Sequence, residues 1–237
     1  MSQNLLKSIA VWSVSKGLRL PQAHWDRVTE LGFLSDLLAQ LKIDCVLDVG
    51  ANRGQFAAEL RGIGFTGRII SFEPIASEFQ AMREHFQGDQ AWSGHQMALG
   101  STEQMMSITV PKLTVMSSLL ESDYAGKDAR KEQVAVRRLD QLLPSLLPDF
   151  EHQRLFLKMD TQGFDLEVFK GAAGCLHRVQ GIQSELSVQP LYKNMPHYLE
   201  VLQCYEGAGF DLHNLSVVNR VENGGLLELN CFMRRPG

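Results

Sequence analysis

The sequence predicts an α/β fold in which a mostly parallel sheet carries helices on both faces. Short apolar runs typical of buried parallel strands alternate with stretches of helical periodicity. Three of the runs also end in an acidic residue, at Glu73, Asp160 and Glu185. Ligands of such sheets bind at the carboxyl ends of the strands, so we expect the three acids to line one crevice.

The segment from Cys45 to Pro74 predicts a strand, a glycine turn, a helix and a second strand. Cys45–Val49 is a short apolar run that ends at Gly50, residues 55–61 are good helix formers, and residues 68–72 form the next apolar run. This order of elements is the first half of a nucleotide-binding unit.

The turn Gly50-Ala51-Asn52-Arg53-Gly54 lets the backbone approach a ligand, and Glu73 is placed to accept hydrogen bonds from the hydroxyls of a ribose. Asn52 replaces the middle glycine of a dinucleotide fingerprint, which disfavours NAD. Asp48 suits a cationic ligand better than a phosphate. S-adenosylmethionine fits these features because it has a ribose, a sulfonium and an ammonium, and no phosphate.

The remaining binding residues follow from the elements around this unit. Residues 94–100 are expected to form a third strand whose end approaches the base of the ligand. The residues predicted to contact S-adenosylmethionine are Asp48, Gly50, Ala51, Asn52, Gly54, Phe56, Glu73, Pro74, Ala98 and Asp160.

Composition limits the partners and the compartment. The 23 basic and 27 acidic residues give a net charge of −4 without any basic block, so nucleic acid is not expected as a partner. Four cysteines lie far apart without a C-x-x-C pair, which argues against zinc and indicates a reducing compartment, here the cytoplasm. No apolar run reaches the ~20 residues that a transmembrane helix needs.

Two helices are expected before the first strand. Leu5, Ile9 and Trp12 lie on one face of the first, and the second extends from Trp25 to Leu41. We expect residues 1–40 to be a helical extension and residues 41–237 to be the ligand-binding domain. The helices are expected to cover one edge of the sheet; a lid over the site, a dimer contact and a weak membrane attachment are the alternatives.

The second half of the chain continues the alternation of strands and helices. A helix over residues 139–143 is expected to end at Pro144, and a helix is expected over residues 197–207. Strands are expected at residues 105–110, 134–137, 154–160, 181–185 and 226–233.

Taken together and in order, several segments resemble the FkbM-type S-adenosylmethionine-dependent methyltransferases, which are built on a Rossmann-like sheet. The matching segments are Asp48 to Gly54, Phe72-Glu73-Pro74, Ala98-Leu99-Gly100, Arg138-Leu139-Asp140, Leu157 to Asp165, Glu185-Leu186-Ser187 and Pro190-Leu191-Tyr192. The resemblance covers about Cys45 to Arg234. Gln162 stands where an acid is common in the family, so no catalytic charge is assigned there.

The resemblance implies a class I methyltransferase fold of seven strands, in which the last run, residues 226–233, is antiparallel to the others. It also implies methyl transfer to an oxygen, typically a hydroxyl on a sugar or a secondary metabolite. The acceptor is therefore expected to be a small molecule or a glycolipid with a free hydroxyl, and a homo-oligomer is left open.

Transfer of a methyl group to a hydroxyl requires alignment of the acceptor and removal of its proton, so a general base is expected. Asp160 is the first candidate for this catalytic role and Glu185 the second. Two carboxylates would also suffice to hold Mg²⁺, although no residue is assigned as a metal ligand.

The favoured hypothesis is an S-adenosylmethionine-dependent O-methyltransferase. The alternative from another class is a non-catalytic binding or scaffold protein that keeps the nucleoside pocket. A third and weaker hypothesis is an NAD-dependent oxidoreductase, which Asn52 disfavours.

Overall fold

A seven-stranded sheet forms the centre of the structure, a computed structural model that describes residues 22–111, 114–120 and 129–236. The ten strands of the described residues are β1 (Cys45–Val49), β2 (Arg68–Phe72), β3 (Trp92–His95), β4 (Ala98–Leu99), β5 (Gln104–Val110), β6 (Arg130–Arg137), β7 (Leu155–Met159), β8 (Val179–Ser187), β9 (Asp211–Arg220) and β10 (Leu226–Arg234). The helices are α1 (Gln22–Gln40), α2 (Gln55–Gly62), α3 (Ala76–His85), α4 (Leu139–Leu146), α5 (Asp165–Gly171) and α6 (Tyr198–Gly207).

The strand order of the main sheet is β3-β2-β1-β7-β8-β10-β9. The first five of these strands are parallel, and β10 runs antiparallel to both β8 and β9. This confirms the predicted seven-stranded, mostly parallel sheet with its antiparallel last run. Because the parallel strands share one direction, the segments after β1, β2 and β7 meet at one edge of the sheet.

Helices cover both faces of this sheet, as predicted. On one face, Leu34, Leu37 and Leu38 of α1 and Phe56 of α2 share a buried cluster with Phe156 of β7. On the other face, α4, α5 and α6 pack against alternate residues of the same strands. The described part of the N-terminal extension therefore shares the core of the sheet, whereas the predicted helix around Leu5 lies outside the described residues.

The predicted third strand is wrong over part of its length. Residues 92–95 join the main sheet as β3, but residues 98–99 form β4, which pairs with β6 in a second sheet of order β4-β6-β5. A tight turn separates the two strands, since the Met97 amide donates to the carbonyl of His95 at 3.1 Å. The predicted strand is thus divided between two sheets.

The helix predicted to end at Pro144 continues to Leu146. Proline removes a single N–H donor, while Leu139, Leu143 and Leu147 are buried in the core and hold the last turn. The Leu147 amide completes this last turn by donating to the carbonyl of Leu143 at 2.8 Å.

In the part of the chain that the structure describes, no helix is both long and apolar enough to cross a membrane.

Candidate active site

An open cavity of about 310 Å³ lies at the carboxyl ends of the central strands. This volume is at the low end of the roughly 300–1,000 Å³ typical of ligand pockets. One side is formed by the turn after β1, the end of β2 and the second sheet, and the other side by β7, β8, β10, α1 and α2. Of the residues predicted to bind S-adenosylmethionine, those that line the cavity are Gly50, Ala51, Asn52, Phe56, Glu73, Pro74, Ala98 and Asp160.

The turn after β1 brings the backbone against β7. Gly50 has φ of 76°, and a Cβ placed on it would lie 2.0 Å from the carbonyl oxygen of Asp160, so only glycine fits. Gly54 differs from the expectation because it does not line the cavity. Its φ is 85°, and a Cβ there would lie 2.5 Å from the Phe86 ring, so Gly54 lets the start of α2 pack against α3 and the segment after it.

Glu73 lines the cavity and holds the turn after β1 in place. Its Oε2 accepts from the amide of Asn52 and its Oε1 from the amide of Ile75, both at 2.8 Å. Burial raises the pKa of Glu73 to about 7, although these two amides favour the ionised form. A carboxylate has about four lone-pair sites, so both oxygens keep the capacity to accept a ribose hydroxyl.

An apolar wall formed by the second sheet and the segments next to it lies beside Glu73, and only Pro74 and Ala98 of this wall were predicted from the sequence. This wall consists of Pro74, Ile75, Met97, Ala98, Leu99, Ile108 and Leu119. Ser117 also lines the cavity, and its Oγ is buried without a hydrogen-bond partner within the described ranges. An apolar wall with one unpaired polar atom suits an adenine base.

Asp48 lies beneath the cavity and not along it, which differs from the expectation that it would meet the charged end of the ligand. It is completely buried in β1. Lys158 Nζ lies 3.1 Å from its Oδ1, and the Ser71 hydroxyl donates to its Oδ2 at 3.2 Å. The Asp48 carboxylate therefore neutralises a lysine of the neighbouring strand.

Lys158 is a cavity-lining residue that was not predicted from the sequence, although a lysine inside the apolar run of β7 was the available signal. It lines the cavity with a side chain that is 7% exposed. Burial lowers its pKa, but the carboxylates of Asp48 and Asp160 outweigh burial and raise the pKa above its ordinary value. Lys158 Nζ donates to the carbonyl of Gly50 at 3.3 Å and so ties the turn after β1 to β7.

The side chain of Gln162 joins the two predicted catalytic acids. Its Nε2 donates to Glu185 Oε2 at 2.8 Å and to Asp160 Oδ1 at 3.2 Å. The Tyr192 hydroxyl donates to Gln162 Oε1 at 2.8 Å and fixes the orientation of the amide. Asp160 and Glu185 therefore lie close together at the cavity, although Glu185 precedes the end of β8 by two residues and does not end the strand as expected.

Asp160 and Glu185 have different surroundings. The Asp160 side chain is 41% exposed and faces Lys158 Nζ at 3.6 Å. Glu185 is partly buried, and burial, followed by the charge of Asp160, raises its pKa well above the ordinary value. A carboxylate with a raised pKa is a stronger base, so Glu185 is suited to accept a proton from a hydroxyl.

The model of the FkbM methyltransferase domain family matches residues 48–212, well over half of the 237 residues. This chain belongs to the FkbM methyltransferase family. It is therefore an S-adenosylmethionine-dependent methyltransferase by family. No curated protein matches the chain in sequence.

Solved structures show the same fold. Cofactor-bound Rv0187 from MTB is 14% identical, with a TM-score of 0.50 over 88% of this chain and 81% of that protein. A fibrillarin pre-rRNA processing protein of Methanococcus jannaschii is 9% identical, with a TM-score of 0.50 over 82% and 67%. An uncharacterised protein from Listeria monocytogenes serotype 4b is 7% identical, with a TM-score of 0.50 over 87% and 67%.

Asp165 fixes the loop that carries Asp160 and Gln162 in the FkbM domain. Its Oδ1 accepts from the amide and the hydroxyl of Thr161, and its Oδ2 accepts from the Ser184 hydroxyl at 2.8 Å and the Glu185 amide at 3.2 Å. The buried Asp165 carboxylate thus joins the loop after β7 to β8. These bonds help to fix the distance between Asp160 and Glu185.

The methyltransferase site has no preformed metal centre in the described ranges, where no group of three His, Cys, Asp or Glu could hold an ion. The amide of Gln162 points between Asp160 and Glu185. An ion that bridged the two oxygens bonded to that amide, Asp160 Oδ1 and Glu185 Oε2, would first have to displace it.

The methyltransferase cavity extends beneath α1 on the side away from Glu73. Arg27 of α1 lines this part, and its Nε donates to Glu59 Oε1 of α2 at 2.9 Å. Arg27 also pairs with Glu30, which accepts from Asn230 of β10 at 3.1 Å. The described part of the N-terminal extension therefore both covers the sheet and closes one side of the cavity.

Proposed function

We propose that this FkbM methyltransferase transfers the methyl group of S-adenosylmethionine to a hydroxyl of a small molecule or glycolipid. The observation that carries the proposal is the pair of acids at the cavity, Asp160 and Glu185, bridged by the amide of Gln162. A scaffold protein that only held the nucleoside would need Glu73 but not the additional pair of Asp160 and Glu185.

Binding of the donor is assigned to the side of the cavity around Glu73. The Glu73 carboxylate accepts the ribose hydroxyls, and the apolar wall of the second sheet encloses the base. When bound, S-adenosylmethionine supplies a methyl carbon that its sulfonium already activates. The Gly50 turn and Asp160 lie next to each other. The methionine end is assigned to this part of the cavity, with the methyl group towards Glu185.

Glu185 is assigned as the general base. As the acceptor oxygen forms its bond to the methyl carbon and the carbon–sulfur bond breaks, the hydroxyl proton passes to the Glu185 carboxylate. Asp160 and Gln162 orient the acceptor and Glu185, respectively. Alignment and exclusion of water can supply much of the acceleration in such a displacement.

The net charge of −4 and the carboxylates along the cavity favour a small hydroxylated acceptor over a nucleic acid. The methyl donor is tested by calorimetry with S-adenosylmethionine and S-adenosylhomocysteine. Turnover is tested with tritiated S-adenosylmethionine and a panel of glycosides and aliphatic and phenolic alcohols. Heat with the nucleosides and label in a hydroxyl acceptor are expected.

Glu185→Gln should lower kcat by roughly 10²–10⁴-fold while binding S-adenosylhomocysteine as the wild type does. Glu206→Gln, at an exposed site on α6, is the matched control and should have no effect. Binding without label in any acceptor would support a scaffold protein instead. No heat with either nucleoside would rule out both functions.

A further inference from the structure

A row of polar side chains on one face of the sheet leads from the two acids to the space beneath α1. In the register of β7 and β8, Gln183 lies opposite Lys158, and it precedes Glu185 by two residues, so Gln183 and Glu185 point to the same face. Asn230 of β10 lies opposite Glu185. Gln183, Glu185 and Asn230 all line the cavity.

The buried side chain of Gln183 has an acceptor oxygen without a hydrogen-bond donor among the described residues. The residue is 4% exposed, and its Oε1 has no hydrogen-bond partner among the residues that the structure describes. Buried side-chain polar atoms in native proteins are almost always paired, and an unpaired one requires an explanation. Since Gln183 lines the cavity, a ligand with a hydroxyl or N–H donor can supply the missing bond.

The charges around Gln183 favour a neutral donor over an anion. The cations that line the cavity are already engaged, Arg27 by Glu59 and Lys158 by Asp48. The carboxylates of Glu59, Asp160 and Glu185 outnumber them along this side. A phosphate or carboxylate here would face uncompensated negative charge, whereas a hydroxyl would not.

We propose that Gln183 determines acceptor specificity by accepting a hydrogen bond from a second hydroxyl of a neutral, polyhydroxylated acceptor. The inference rests on the proposed function, since the first hydroxyl of that acceptor is the one that Glu185 deprotonates. It identifies the acceptor as a molecule with at least two nearby hydroxyls, such as an unphosphorylated sugar ring.

The test is binding of methyl glycosides to the complex of the protein with S-adenosylhomocysteine, measured by saturation-transfer NMR and titration. The panel contains the methyl glycosides of glucose, galactose, mannose and rhamnose. Gln183→Met keeps the length of the side chain and removes the amide. Gln180→Met is the matched control, because Gln180 lies on the same strand outside the cavity and donates to the carbonyl of Arg178.

At least one glycoside should bind the wild type, and Gln183→Met should weaken that binding roughly 3–10-fold, the loss expected for one neutral hydrogen bond. Gln180→Met should bind as the wild type does. Without acceptor, the melting temperature of Gln183→Met should be unchanged or higher, since the substitution removes an unpaired buried atom. A purely structural role for Gln183 would lower it.

A second arm leaves the protein unaltered. One monodeoxy analogue of the bound glycoside should bind the wild type more weakly than the parent glycoside does, by the same factor. Gln183→Met should bind this analogue and the parent glycoside equally well, because the hydrogen bond is already absent. The corresponding 6-phosphate should bind more weakly than the neutral glycoside. The inference is overturned if no glycoside binds, if Gln183→Met binds it like the wild type, or if the 6-phosphate binds more tightly.

Methyl transfer is assayed separately with the same panel. Binding that depends on Gln183 without label in any glycoside would contradict the proposed function alone. If a glycoside is methylated and Gln183→Met changes neither its binding nor its rate of methylation, only the specificity role of Gln183 is contradicted.

Discussion

Lys158 Nζ lies 3.1 Å from Asp48 Oδ1, and the two side chains are 7% and 0% exposed. The pair joins β7 to β1 directly below the cavity. Through the bond from Lys158 Nζ to the Gly50 carbonyl, it also holds the turn that faces the donor side. The position of this turn therefore depends on a buried ion pair of which only Lys158 lines the cavity.

Lys158→Met should destabilise the protein by about 3–5 kcal/mol, because it leaves the Asp48 carboxylate buried without its partner. Urea unfolding measures the loss. The control is Lys170→Met, which removes a partner of Glu167 from an exposed pair and should cost less than about 1 kcal/mol. The double variant Asp48→Asn/Lys158→Met should recover part of the loss. A single variant as stable as the wild type would show that the pair does not matter.

Affinity for S-adenosylhomocysteine should rise with pH as Glu73 ionises. Its pKa is raised from 4.5 to about 7 by burial, and only the carboxylate can accept both ribose hydroxyls. Calorimetry from about pH 6 to about pH 8 should show tighter binding and proton release. Glu73→Gln should bind more weakly and lose this pH dependence. An unchanged profile in the variant would assign the titration to another group.

The same raised pKa affects the free protein in the opposite direction. The folded state holds the Glu73 proton more strongly than the unfolded chain, so the contribution of Glu73 to stability is complete below pH 4.5. It is lost as the pH rises from 4.5 to about 7. Unfolding by urea across this range should show Glu73→Gln losing less stability than the wild type as the pH rises.

Gln162→Leu should move the acid limb of the kcat/KM profile to higher pH. The amide of Gln162 donates to both Asp160 and Glu185, and without it the charge of Asp160 raises the pKa of Glu185 further. A shift of about one pH unit corresponds to one lost bond to a charged group. Gln153→Leu, which removes a surface contact with Asp149, should leave the profile in place. A fall in kcat without any shift would argue against Glu185 as the base.

Exhaustive treatment with EDTA should leave methyl transfer at its full rate. The Gln162 amide bridges Asp160 Oδ1 and Glu185 Oε2, where an ion shared by those two oxygens would bind. The rate is measured before and after treatment, and again with added Mg²⁺. Loss of activity that Mg²⁺ restores would mean that the amide moves aside for a metal.

Gly50→Ala should cost much more stability than Gly64→Ala. Both glycines have positive φ, at 76° and 88°, so each substitution pays roughly 1–2 kcal/mol for the left-handed backbone. A Cβ at Gly64 meets nothing within 4 Å, whereas at Gly50 it meets the Asp160 carbonyl at 2.0 Å. Displacing that carbonyl should add roughly 1–3 kcal/mol. Equal melting temperatures for the two variants would show that the Asp160 carbonyl does not restrict a side chain at position 50.

The sheet and the position of Glu73 at its edge were predictable because both depend on local patterns. Short runs made mostly of apolar residues predict β1, β2 and β7, and an acid after β2 must lie at the edge where ligands bind. The division of residues 94–100 between two sheets was not predictable. It depends on the pairing of Ala98 with Val136, which lies far along the chain.

The interior of the site was harder to predict, because it depends on register between strands. Asp48 was assigned to the ligand since its distance from Gly50 is short, but it points below the edge, where Lys158 of another strand meets it. The unpaired oxygen of Gln183 depends on the same inter-strand register. A sequence pattern gives the face of a residue but not its neighbour across the sheet.

The family match from residue 48 to residue 212 leaves Arg27, Val218 and Asn230 outside it, yet all three line the cavity. The donor side lies within the shared segment, and part of the wall beyond Gln183 comes from the flanks. Under the proposed function, substitutions in the flanking segments would change which acceptor is methylated, while the methyl donor stayed the same. Such a division would let one inherited core serve many acceptors.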